Sequence, residues 1–65
     1  MIHLIICFID GSVFAKCSVC SVELNDSGVY FDYLVDGDRK HMEYSFNAVD
    51  KVLIDGIKFD ASSVL

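Results

Sequence analysis

Sixty-five residues, ten of them acidic against five Lys or Arg, carry a formal net charge of -5. That is the wrong sign for neutralising phosphates or anionic headgroups, so nucleic acid and membranes are not expected as direct partners. A chain this short makes one domain that buries only about 60% of its unfolded surface, and it is marginal unless stapled or associated with a partner.

The first predicted element is the run 2–9, in which seven of eight residues are apolar and only His3 is polar. A strand with one face on a core and one in water should alternate, so the second face of this strand calls for a cover. No Lys or Arg precedes the run and Asp10-Gly11 ends it, which argues against a secretory signal. No run reaches the roughly 18 apolar residues of a membrane span, and a soluble cytoplasmic protein is expected.

Val, Ile, Phe and Tyr dominate the 54% hydrophobic content, proline is absent, and all four glycines sit in turn-like settings. Those settings divide the chain into strands near 2–9, 13–24, 29–35, 40–46, 51–54 and 57–60. The expectation is one all-β domain over 1–65, an antiparallel meander of five to six strands closing into a small barrel or compact sandwich. The stretch "FNAVDK" predicts one short helical or 3₁₀ turn near 47–51 with Asn47 as its cap.

Turn chemistry sets registers, because a one-residue slip exchanges the two faces of a strand. A two-residue Asp10-Gly11 loop pairs Phe8 with Val13, Ile6 with Ala15, Leu4 with Cys17 and Ile2 with Val19. A four-residue loop at 25–28 pairs Leu24 with Val29, Val22 with Phe31 and Cys20 with Tyr33. An even loop around Gly37-Asp38 pairs Tyr33 with Met42, Phe31 with Tyr44 and Val29 with Phe46, placing His41 opposite Leu34. A two-residue Asp55-Gly56 loop pairs Ile54 with Ile57 and Val52 with Phe59.

In this reading the inward set of the second strand runs Val13, Ala15, Cys17, Val19 and then changes phase to Cys20, Val22, Leu24. A phase change inside one long strand predicts a bulge or sharp bend, the device by which small barrels close. A bent second strand and a short helical turn before the fifth strand resemble the architecture of the SH3-like and Sm-like barrels. The resemblance spans residues 1–55 and implies that fold, without any motif that would imply an activity.

Several constellations imitate chemical sites. Cys17-Ser18-Val19-Cys20 has the C-x₂-C spacing of a zinc knuckle, with Cys7, His3 and His41 as further candidate ligands, but residues three apart on a strand face opposite ways and no second such pair exists. Buried reduced thiols are the expectation, with no metal and no cofactor. Residues 32–43 place acids at the first, fifth, seventh and last positions of a twelve-residue stretch with glycine sixth, like a calcium loop, yet Leu34 takes a ligand position and both flanks alternate as strands. A charged hairpin tip with Asp36 facing Arg39 is the simpler reading. No catalytic residues are expected, since two isolated histidines and no nucleophile context make no active site. The C-terminal Ser63-Val64-Leu65 has the form of a PDZ ligand, and an unstructured end explains it as well.

The functional expectation is therefore a small acidic protein-interaction module rather than an enzyme, an inhibitor or adaptor that covers a surface on another protein, as many compact virus- or mobile-element-encoded inhibitors do. The interface is expected on the second face of the first hairpin, at Ile5, Cys7, Ile9 and Phe14, buried most simply in a homodimer. The competing cover is the chain's own segment 57–65. The alternative function is a nucleic-acid mimic that presents Asp32, Asp36, Asp38 and Glu43, with Asp50, Asp55 and Asp60, to a basic cleft.

Overall fold

A computed structural model describes residues 1–61 of the chain. Six strands follow one another: β1 (Ile2–Phe8), β2 (Val13–Leu24), β3 (Gly28–Val35), β4 (Asp38–Ser45), β5 (Val49–Ile54) and β6 (Ile57–Asp60). They form one antiparallel sheet in the order β4-β3-β2-β1-β5-β6. The expected meander breaks after β4, because β5 crosses over to pair with β1; β4 and β6 are the edges, so the sheet is not closed into a barrel. Among the described residues no helix is long and apolar enough to cross a membrane.

The sheet nevertheless curls. In a flat sheet, strands three places apart lie about 14 Å from one another, yet the rings of Phe8 on β1 and Tyr44 on β4 meet edge to face with centroids 5.1 Å apart. Phe31 stands among them, 5.6 Å from Phe14, 5.8 Å from Tyr33 and 6.2 Å from Tyr44. The concave face is the core, built on Leu4, Ile6, Val19, Val29, Phe31 and Val52, with Phe46, Val49 and Ala61 closing its ends. A single curled sheet buries one face, which leaves the convex face without a second layer.

The two type I′ hairpins come from the same dipeptide. Asp36-Gly37 has φ 51 and 83, and Asp55-Gly56 repeats those values, the positive pair that asparagine, aspartate and glycine tolerate. The β5–β6 register follows as expected, with Ile54 opposite Ile57 and Val52 opposite Phe59. The β3–β4 register differs from the sequence expectation by two residues, because the loop is Asp36-Gly37 rather than one around Gly37-Asp38. Phe31 therefore faces Met42, Val29 faces Tyr44 and His41 faces Asp32. A two-residue shift preserves the faces, so Phe31 and Tyr44 still point inward.

The β1–β2 hairpin departs further. Cys7 pairs with Val13, the Phe8 amide donates to the Ser12 carbonyl and the Gly11 amide to that of Phe8, leaving the three-residue loop Ile9-Asp10-Gly11. Gly11 takes the left-handed position that such loops need, at φ 92. The odd loop slips the register by one and exchanges the faces of the start of β2: Phe14 pairs with Ile6 and packs inward, while Ala15 pairs with Ile5. The phase is restored by an irregularity between Ile2 and Leu4, where Val19 rejoins the expected pairing with Ile2.

A second irregularity, between Val19 and Ser21 against β3, is the bend the change of phase at Cys20 predicts. It sets Val19, not Cys20, opposite Tyr33, while Val22–Phe31 and Leu24–Val29 pair as expected. At the start of β3 the Asn25 side chain accepts from the amides of Ser27 and Gly28 at 2.8 and 3.2 Å. Gly28 has no substitute there, because a Cβ would collide with the Tyr44 carbonyl oxygen.

The turn before β5 is closed by bonds between residues three apart, as in a 3₁₀ turn, the tighter of the two expected forms. The amides of Ala48 and Val49 donate to the carbonyls of Ser45 and Phe46, and Val49 already begins β5. Its cap is Ser45, whose hydroxyl accepts from the Asn47 amide at 3.2 Å, and not Asn47 itself.

Candidate functional site

The convex face of β1, β2 and β5 carries a contiguous apolar patch. Ile5 sits between Ala15 of β2 and Leu53 of β5, and Cys7 between Val13 of β2 and Lys51 of β5. Val13 is 61% exposed and Ile5 36%, while Cys7 and Leu53 are half-buried and Ala15 is exposed. These strands lie at the middle of the sheet, where both neighbours restrict the backbone, so the patch is rigid as well as apolar.

Of the four residues expected at an interface, the structure brings Ile5 and Cys7 together on this face. Ile9 lies beyond them in the loop, 68% exposed, with its amide donating to the Ala48 carbonyl. Phe14 is corrected: it points into the core beside Phe31 and Tyr44, because the three-residue loop exchanges the faces. Val13, Ala15 and Leu53 take its place on the patch. Leu53 was legible from the Asp55-Gly56 turn, whereas Val13 and Ala15 required the odd loop to be known.

The expected self-cover is placed only in part. Residues 57–60 extend the sheet beside β5 as β6, and Ile57 and Phe59 stand on the concave side at 63% and 38% exposure. They do not lie over the convex patch. Ala61 is buried in the core, and the remaining residues of the expected cover, 62–65 with Ser63-Val64-Leu65, fall outside the described residues.

The polar groups near the patch are close to balanced. Lys51 lies opposite Cys7, Lys58 lies opposite Leu53, and the Lys58 ammonium is 3.7 Å from the Asp60 carboxylate. At one end of β1, Asp55 accepts from the His3 amide at 2.9 Å and returns its own amide to the His3 carbonyl at 2.8 Å. At the other end Asp10 accepts from the Ser12 hydroxyl at 2.6 Å and the Ser12 amide at 2.8 Å. Those two bonds, the hydroxyl's first, hold the Asp10 carboxyl below its usual range.

The β3–β4 hairpin presents a different surface. Asp32 of β3 faces His41 of β4, and Arg39 lies opposite Leu34. The guanidinium reaches Asp32 Oδ2 through Nε at 3.0 Å and a terminal nitrogen at 2.9 Å. His41 Nδ1 lies 2.7 Å from Asp32 Oδ1 and Nε2 3.2 Å from Glu43 Oε2. The expected Asp36–Arg39 facing pair is thus replaced by an Asp32-centred network. His41 and then Arg39 lower the Asp32 pKa, while Asp32 and then Glu43 raise that of His41.

The three cysteines are free thiols, with Cys17 exposed and Cys7 and Cys20 half-buried. Among the described residues no group of three or more His, Cys, Asp or Glu side chains is arranged to hold a metal. The calcium-loop imitation at 32–43 is a hairpin of two strands around Asp36-Gly37. No family model, no curated protein and no solved structure matches the chain.

Proposed function

We propose that the chain is a small acidic protein-interaction module that associates first with a second copy of itself, through the convex face of β1, β2 and β5. The observation that carries this reading is the patch of Ile5, Cys7, Val13, Ala15 and Leu53 on strands that are paired on both sides. Burying a large aliphatic side chain recovers about 1.5–3 kcal/mol when complete, a substantial share of the stability of a domain this small. A two-fold axis covers both patches with one surface. The local balance of Lys51, Lys58 and Asp60 keeps the net acidity of the chain from opposing that contact.

An adaptor or inhibitor role, in which a partner protein takes the place of the second copy, uses the same face. The barrel-like fold reading keeps support from the curl, the bulge near Cys20 and the tight turn before β5. The mimic alternative is the weaker one, because Asp32 and Glu43 are engaged within their own hairpin, Asp55 in a backbone contact and Asp60 beside Lys58.

Sedimentation at micromolar concentration tests the reading. A dimer is expected for the natural chain, a folded monomer for Ile5→Asp and Val13→Asp, and persistence of the dimer in high salt. A natural chain that sediments as a folded monomer at these concentrations sinks the proposal. Phe14→Asp serves as the contrast, since it is expected to unfold the domain rather than merely dissociate it.

A further inference from the structure

The two ring nitrogens of His41 both meet carboxylates, Asp32 across the hairpin at 2.7 Å and Glu43 on its own strand at 3.2 Å. A neutral imidazole has one N–H and one lone pair, so it can donate to one of these groups while aiming a lone pair at the other. Only the imidazolium donates to both. We propose that His41 is a proton-operated clasp on edge strand β4, which holds the strand against β3 when the ring is protonated and loosens it when the ring is neutral.

The placement of the surrounding groups supports a clasp that matters to this strand. β4 is exposed along its length except for the half-buried Tyr44, whose ring packs against Phe8, Phe14 and Phe31, so side-chain burial contributes little to holding its outer part, residues 38–43. The groups facing His41 are Asp32 and Tyr30 from β3, Ser21 and Glu23 from β2, and Arg39 and Glu43 from β4 itself. Protonated, the row sets two cations against three carboxylates. Deprotonation leaves Arg39 as the only cation among those six neighbours, while a ring lone pair points at an acid.

The sign follows from the direction of each shift. The His41 pKa is raised from its ordinary 6.5, so the stabilisation is complete below about that pH and is lost as pH rises through the raised value. Asp32 is lowered from 3.8, so it remains an anion throughout that transition. The inference is independent of the proposed dimer, because the hairpin pairs with the Val19–Leu24 half of β2, whereas the patch uses Val13 and Ala15 at the other end of that strand with β1 and β5.

Amide hydrogen exchange read by NMR tests the clasp on the intact chain, with β1 amides as the reference within each sample. After correction for intrinsic pH dependence, the outer β4 amides are expected to lose protection relative to β1 by roughly two- to fivefold between about pH 5.5 and pH 8.5, the size expected for exposed charge pairs. The His41 ring titration should coincide with that loss and move to lower pH in Asp32→Asn. In His41→Gln the relative protection is expected to stay flat with pH. A β4-to-β1 ratio that is constant through the His41 titration in the natural chain, or an equal change in His41→Gln, overturns the proposal.

Discussion

Strands β1 and β4 are nearly equal in length, seven and eight residues, yet different forces hold them. β1 lies between β2 and β5 and sends Leu4 and Ile6 into the core without residual exposure. β4 has one neighbour, β3, and nearly all its side chains remain in water. The first is secured by burial on its concave face, the second by backbone pairing, the Asp32 network and the single ring of Tyr44 against Phe8, Phe14 and Phe31. The molecule therefore has a rigid middle that carries an apolar surface and an edge that responds to charge.

The largest expected effect that separates the two strands is Leu4→Ala. Truncating a fully buried leucine costs about 2–5 kcal/mol, enough to unfold much of a marginal domain, and urea denaturation followed by circular dichroism measures it. Gly28→Ala comes next and strikes the pairing that holds β4. The new Cβ meets backbone at Tyr44 rather than a flexible side chain, so a loss of about 1–3 kcal/mol is expected, with β4 amides losing protection before those of β1.

Met42→Ala, on β4 at 36% exposure, should cost roughly 1 kcal/mol or less; a loss equal to that of Leu4→Ala would erase the distinction between the strands. The smallest effect belongs to Asp10. Its lowered pKa means its contribution is present above about 3.8 and lost as pH falls through the lower folded value. Asp10→Asn should therefore lower stability slightly at neutral pH, with the difference from the natural chain fading as pH falls below 4, so that the acid-limb slope is shallower. An identical slope in both proteins would show that Asp10 does not act there.

The part of this contrast legible in the residues is instructive at Asp-Gly. Asp55-Gly56 gave its hairpin register directly, and the same dipeptide at 36–37 carried the signal for Asp32 opposite His41. Placing that loop one residue later sets His41 opposite Leu34 and hides the network. Asp10-Gly11 imitates the same turn but closes a three-residue loop, and one extra residue was enough to put Phe14 in the core and Val13 outside. The surplus of apolar residues on β1 was visible at once; the identity of their neighbours on β2 was not.

Composition and turn chemistry by themselves determined an all-β chain of six antiparallel strands, the inward face of β3 and β5, and a bend near Cys20, because periodicity and glycine placement act over a few residues; the pairing of β5 with β1 instead of β4 was beyond them. Only the tertiary structure decided the β1–β2 register, the open curled sheet and the side chains that share the convex patch. Loop parity and compensating bulges depend on how the aromatic residues Phe8, Phe14, Phe31 and Tyr44 pack together. That packing joins residues distant in sequence, and no local pattern encodes it.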